Sequence, residues 1–389
     1  MTARMADASV GSAVSQTEPV LVVGAGPGGL AVAAELGRLG VRAEILERGD
    51  AIALAWRQRY DRLRLNTSRR TSMLSGERYP RGTPAFPTRD EVVRYLDSYA
   101  ERHELRVQFG VQVNRIDAND AGWLLSTSAG EWTARQVVVT TGCFHTPKLP
   151  DWPEREMYPG RLLHSSDYRS ADEFRGADVL VVGLGCSGID IAYDLAQGGA
   201  ERVRVAVRTQ PQLLLRTCGG VSGLIITAAL LRLPGRLGDP VGRFVRRMTI
   251  GDLGRWGLTP PERGIVTDVR DANRWPVIVD MPVINAVKTS RIEIVAGATS
   301  ADRDGVHLAD GTRLRPDVII LATGYSSGLD KLAGHLGVVE AGGAPRVHGG
   351  AAVLPGLRFV GYQPSIGTMT HAARRAARGI SRELAAATP

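Results

Sequence analysis

One construction occurs twice in this chain: a continuous apolar strand, a glycine-rich turn and an apolar-periodic helix. The first copy is Pro19-Val-Leu-Val-Val-Gly-Ala-Gly-Pro-Gly-Gly29, followed by a helix through Leu39. The second is Asp178-Val-Leu-Val-Val-Gly-Leu-Gly-Cys-Ser-Gly188, followed by a helix through Ala196. Strands that are apolar at every position are buried on both faces, as in a parallel sheet covered by helices. A second strand follows each copy, at Arg42 to Leu46 and at Val203 to Val207. The pattern predicts an α/β fold with two Rossmann-like dinucleotide-binding domains, the second inserted into the first. The first domain is expected to be built from residues 18–165 and 315–389, including a buried strand at Asp317 to Leu321 and another at Leu357 to Val360. The second is expected over 166–314. Residues 1–17 read as a disordered tail. Between Pro211 and Lys288 the pattern weakens, and that stretch reads either as a substrate-specific wall or as a surface excursion.

The turn residues carry the chemistry. In Gly24-Ala-Gly-Pro-Gly-Gly29, Gly24 makes the tight turn, Gly26 lets the backbone approach a pyrophosphate, and Gly29 allows helix to pack on strand. Pro27 and Gly28 complete the first helical turn, whose free N–H groups and dipole favour an anion. Glu47 ends the second strand, where a carboxylate accepts hydrogen bonds from ribose hydroxyls and repels a 2′-phosphate. The first site therefore suits FAD or NAD. The second turn repeats the device with Gly183, Gly185, Cys186, Ser187 and Gly188. Its second strand ends in Ala206-Val-Arg208, so an arginine is expected in place of the carboxylate and can pair with a 2′-phosphate. A flavin site and an NADPH site on one chain imply flavin reduction by a nicotinamide.

Composition narrows the class. The 389 residues are 43% hydrophobic and 23% charged, as in a globular protein. The three cysteines, Cys143, Cys186 and Cys218, include no CxxC pair. That argues against a disulfide framework, a zinc site and a dithiol redox centre, and fits a reducing, cytoplasmic setting. No metal site is expected. The net charge of +8 is spread over scattered arginines with only 5% aromatics, so no nucleic-acid partner is expected. The apolar run from Val221 to Leu231 is too short to span a bilayer and reads as an amphipathic or buried helix. A homodimer is allowed.

With these residues in view, the chain resembles the class B flavin-dependent monooxygenases over residues 18–385. Tyr158-Pro-Gly160-Arg-Leu-Leu-His164-Ser-Ser-Asp-Tyr168 is similar to that family's FxGxxxHxxx(F/Y) signature, with Tyr158 for the leading phenylalanine. His164 on its own reads as a domain-linker residue rather than a proton shuttle. Ala55-Trp56 resembles the tryptophan that follows the FAD ribose site. Thr141-Gly142 and Ala322-Thr323-Gly324-Tyr325 resemble the two Thr-Gly crossings between domains. Tyr60-Asp-Arg-Leu-Arg-Leu65 and the segments around Leu258 and Pro276 to Lys288 look most like the plant indole-3-pyruvate monooxygenases, the YUCCA group. Asn66 instead resembles the active-site asparagine of the nitrogen- and sulfur-oxidising members, where the plant group carries histidine.

The resemblance implies FAD and NADPH as cofactors, a small organic substrate and O₂ as partners, and oxygen transfer through a C4a-(hydro)peroxyflavin. The outcome is N- or S-oxygenation if the peroxide is protonated. It is Baeyer–Villiger insertion or oxidative decarboxylation of a 2-oxo acid if not. Asn66 is the expected catalytic residue. Arg48, Trp56, Asn66, Val113, Thr141, Gly142, Thr323, Gly324, Tyr325 and Gly367 join the turn residues, Glu47 and Arg208 as expected cofactor-binding positions. The helix starting near Gly367 is expected to aim its N-terminus at the flavin's pyrimidine edge. Alternatives are an NADPH oxidase releasing H₂O₂, or a nucleotide-sensing flavoprotein without catalysis. A thioredoxin-reductase-like enzyme would need the missing CxxC.

Overall fold

The computed structural model describes residues 16–363 and 365–387. Two separate parallel sheets organise them. The first is centred on Gln16–Val23, which pairs in parallel with Glu44–Leu46 on one side and Gly130–Val139 on the other. Val107–Gln108 and Leu357–Phe359 extend it on either side, also in parallel, and Ala352–Leu354 pairs antiparallel outside the latter. An antiparallel pair, Val113–Asn119 and Gly122–Thr127, folds back from Gly130–Val139. Val20, Leu21 and Val22 are fully buried because helices Pro27–Arg38 and Ile366–Ala386 cover one face and a second apolar cluster fills the other. The first strand begins at Gln16, with Gln16 and Thr17 paired to Trp132 and Thr133. The expected tail is therefore shorter by these two residues, and the rest of it, 1–15, lies outside the described residues.

The second sheet has the order Glu293–Ala296, Arg202–Val207, Asp178–Val182, Val318–Leu321, Arg161–His164, every pair parallel. This corrects the expected division at 165 and 315, since Arg161–His164 and Val318–Leu321 both lie in the second sheet. The family-like signature explains why. The Tyr158 hydroxyl donates to Pro316 O, and a Cβ on Gly160 would stand 2.6 Å from Asp317 O. Tyr158 and Gly160 thus clamp the returning strand against the segment that precedes His164.

Residues 211–288 are built rather than irregular. Leu213–Leu215 and Val277–Val279 form a two-stranded parallel pair, and helices Gly223–Leu230, Gly235–Thr249, Ile265–Ala272 and Met281–Lys288 surround it. The run from Val221 to Leu231 does contain a helix, but it is only partly covered: Ile225 is exposed while Thr227 and Leu230 are buried. No helix among the described residues is long and apolar enough to cross a membrane.

Candidate functional site at the two glycine turns

Both turns close in the same way. Gly24 N–H donates to Leu46 O at 2.8 Å, and Gly183 N–H to Ala206 O at 3.0 Å. Both glycines are left-handed, at φ +105° and +109°, which a side chain would strain. A Cβ at Gly29 would lie 2.0 Å from Gly24 O, and one at Gly188 2.0 Å from Gly183 O, so helix and strand touch through bare backbone. Gly26 and Gly185 are different: a Cβ there meets nothing within 4 Å. These two positions face open space at helix N-termini that have no side-chain cap and no acidic residue in the first turn. Free N–H groups, bare glycine and no competing carboxylate are what an entering pyrophosphate needs. The residues fit two dinucleotides.

The strand ends differ. Glu47 follows Leu46 and is buried. Its Oε2 accepts from Ala25 N–H at 2.7 Å and its Oε1 from Gly49 N–H at 3.0 Å. A carboxylate offers about four acceptor positions, so two remain for ribose hydroxyls. In the second unit the residue after Ala206 is Val207, buried and apolar, and Arg208 comes one step later. Register therefore corrects the expected one-for-one exchange: Val207 occupies the place of Glu47, and Arg208 that of Arg48. Arg208 is exposed and makes no hydrogen bond or ion pair with any described residue. Arg48 is also exposed, but its Nη1 lies 3.1 Å from His145 Nε2. Gly297 supports Arg208 from behind, where a Cβ would stand 2.8 Å from the Arg208 Cα.

Around the first turn, Thr140 does work not expected of it. Its hydroxyl donates to the turn at Val23 O, 2.8 Å away, and lies 2.9 Å from Gly24 O. Thr141 Oγ1 instead meets the hydroxyl of Tyr362 at 2.9 Å, and Gly142 is left-handed. Trp56, on the short helix Leu54–Arg57, packs half-buried against the first core. Val113 starts its strand two residues after Val111, whose N–H donates to Glu47 O. The two Thr-Gly crossings meet as a ribbon, with Tyr325 opposite Pro147 and Ser326 opposite Thr146. Thr323 Oγ1 donates to Lys148 O, and Gly324 is left-handed. The Arg59 guanidinium lies over the Tyr325 ring at 4.6 Å and donates to its hydroxyl.

His164 is buried. Its Nε2 lies 3.1 Å from Gly324 O, which can only accept, so Nε2 carries the proton; Nδ1 accepts from Ser166 N–H. Burial lowers its pKa, which suits the neutral ring. It thereby ties the end of Arg161–His164 to the Thr-Gly crossing at Gly324.

Asn66 stands where the two units meet. Its Oδ1 accepts from Arg216 Nη1 at 2.8 Å, and the same nitrogen donates to Leu65 O at 2.8 Å. The Asn66 side chain also lies beside the Cys186 thiol at the head of the second helix. Burial raises that thiol's pKa, which favours the neutral thiol. Arg216 is buried, bonds Asp280 through Nε at 3.1 Å, and leaves Nη2 without a bond to any described residue. Beside it Tyr60 donates to Asp190 at 3.1 Å, and burial pushes Asp190 up to about 6. Gly367 lies at the start of helix Ile366–Ala386, and a Cβ there would fall 1.9 Å from Thr71 O. Its bareness brings that helix N-terminus, again without a cap or an acid, against the loop that follows Asn66. Sequence reasoning missed Thr140, Arg216 and Gly297. Among the described residues no group of three or more His, Cys, Asp or Glu is placed to hold a metal.

Comparison with known proteins gives a consistent set. The family model for pyridine nucleotide-disulphide oxidoreductases matches residues 21–215. The indole-3-pyruvate monooxygenase YUCCA1 of Oryza sativa subsp. japonica is 38% identical, over 79% of this chain and 76% of its own length. The probable indole-3-pyruvate monooxygenase YUCCA7 of Arabidopsis thaliana is 34% identical, over 88% of this chain and 83% of its own. Among solved structures, the flavin-containing monooxygenase of Stenotrophomonas maltophilia superposes with a TM-score of 0.73 at 23% identity, covering 94% of this chain and 99% of that one. An open structure of cyclohexanone monooxygenase has the same fold, with a TM-score of 0.73 at 17% identity, covering 96% of this chain and 88% of that one.

Proposed function

Because the chain belongs to the flavin-dependent monooxygenase family of the indole-3-pyruvate monooxygenases, an NADPH- and O₂-dependent oxidoreductase that binds FAD, we propose that its substrate is a small 2-oxo acid, which it decarboxylates oxidatively. Bound FAD supplies hydride acceptance from NADPH and activation of O₂. The balanced reaction takes R–CO–COOH, O₂, NADPH and H⁺ to R–COOH, CO₂, NADP⁺ and H₂O.

The observation that carries this reading is Arg216 against Asn66. Arginine has donors only, so the oxygen of the Asn66 amide must face it, and the NH₂ group is left to donate elsewhere. The Arg216 guanidinium, held by Asp280 through Nε, keeps Nη2 as a donor at the same place, suited to a carboxylate that must be held while the adjacent carbonyl reacts. Arg208 supports NADPH over NADH, and Glu47 supports a flavin nucleotide's unphosphorylated ribose. The names of the related plant proteins point to the same substrate class.

The test is a coupling assay on the holoenzyme with three substrate sets: aryl and alkyl 2-oxo acids, tertiary amines, and thioethers. The expected result is stoichiometric CO₂ per NADPH with at least one 2-oxo acid and mostly H₂O₂ with the others. Coupled oxygenation of amines or thioethers alone would overturn the substrate assignment, and H₂O₂ in every case would make the protein an oxidase.

A further inference from the structure

Helix Gly235–Thr249 is packed in an unusual sense. Its small residues face inward: a Cβ on Gly238 would stand 2.7 Å from Val266, and one on Gly242 2.6 Å from Ile265. Its large apolar residues face outward. Leu237, Val241, Phe244 and Met248 follow i, i+4, i+7, i+11 spacing and form one stripe. All four are exposed, Phe244 and Met248 at 64% and 70%. Leu233, Ile225 and Val221, on or beside the preceding helix Gly223–Leu230, are exposed as well.

A contiguous exposed apolar surface of this kind marks an interaction site. The charges say with what. Arg236, Arg243 and Arg247 follow the same spacing one register away and flank the stripe, and Arg232 joins them from the preceding turn; all four are exposed. Between Val221 and Gly251 the only acidic residue is Asp239. It is buried and consumed, accepting from Val266 N–H at 2.7 Å and from Thr267 Oγ1. The exposed surface of this segment is thus an apolar stripe whose flanking charges are all positive.

We propose that this helix pair docks the enzyme onto an anionic lipid surface, lying in the interface with Phe244 and Met248 inserted and the arginines against headgroup phosphates. An apolar stripe with a cationic flank, too short to span, has the form of an interfacial helix. A second copy of the chain fits worse. A two-fold contact through this face with the helices antiparallel would set the arginine rows of both copies against each other. The same insert carries Arg216, so a lipid-docked enzyme would hold the segment that touches Asn66 close to the bilayer, where apolar substrates concentrate.

The experiment is co-sedimentation of the FAD-loaded enzyme with two kinds of vesicle, phosphatidylcholine alone and phosphatidylcholine mixed with phosphatidylglycerol, at low and high salt. Expected is binding to the phosphatidylglycerol vesicles that high salt releases, and little binding to phosphatidylcholine. Phe244→Glu with Met248→Glu should lose binding while keeping bound FAD and NADPH oxidation; Arg243→Glu with Arg247→Glu should lose the preference for anionic lipid. No sedimentation with either vesicle, or undiminished binding by the Phe244/Met248 variant, would overturn the proposal. A concentration-dependent dimer in light scattering that the same variant dissolves would assign the face to a second copy instead.

Discussion

The two glycine turns are built from the same parts and differ by one register step. In both, a left-handed glycine closes onto a neighbouring strand and a bare glycine lets helix touch strand. In both, a second glycine leaves space at an uncapped helix N-terminus. At the strand end, the first unit places Glu47 in a buried position and gives its carboxylate two backbone donors. The second places Val207 there and leaves Arg208 exposed beside it without a partner. On the reading proposed above, nucleotide choice needs two changes. Removing the carboxylate removes the repulsion of a 2′-phosphate, and the next residue supplies the cation. Support differs as well: Thr140 ties the first turn through its hydroxyl, while Ala322, which makes the matching N–H bond to Val182 O, has no hydroxyl to offer.

The largest effects should come from the glycines, and they should separate packing from ligand binding. Gly29→Ala places a methyl into Gly24 O and should cost about 1–3 kcal/mol or more through overpacking, with loss of FAD on purification. Gly26→Ala meets open space in the protein itself, so thermal stability without flavin should be nearly unchanged while FAD affinity falls. Melting curves with and without added FAD check both. If Gly26→Ala destabilised the flavin-free protein as much as Gly29→Ala, the open cradle would be a misreading. A smaller effect is expected at the junction of the two units. Asn66→Ala should leave anaerobic flavin reduction intact and shift turnover severalfold toward H₂O₂, read as the ratio of peroxide to NADPH consumed. An unchanged ratio would reduce Asn66 to a loop residue held by Arg216.

The sequence made both turns and Glu47 legible, because each depends on local spacing between glycines and apolar strands; the Thr-Gly crossings were legible only through the family resemblance. Four things were not legible, for physical reasons. A strand such as Val318–Leu321, apolar at every position, carries no mark of which buried sheet it joins; pairing with Asp178–Val182 and Arg161–His164 decides that at long range. The one-residue offset of Arg208 depends on which carbonyl accepts the glycine N–H, which residue counting does not reveal. Arg216 lies in an unpatterned stretch and gains its meaning only from Asn66 and Asp280, each more than sixty residues away. The exposed face of Gly235–Thr249 was also hidden, since an apolar stripe reads as core until its glycine side is seen to be the packed one.

The central claim is that the first turn holds the flavin and the second discriminates NADPH through Arg208. It is tested most directly by anaerobic stopped-flow reduction of the bound flavin, with NADPH and then with NADH, in the wild-type protein and in Arg208→Gln. A charge-assisted contact of about 1.5–3 kcal/mol predicts a preference of about ten- to a hundredfold for NADPH in the wild type and its loss in the variant, with flavin content unchanged. An NADPH/NADH ratio that is the same in both proteins would contradict it.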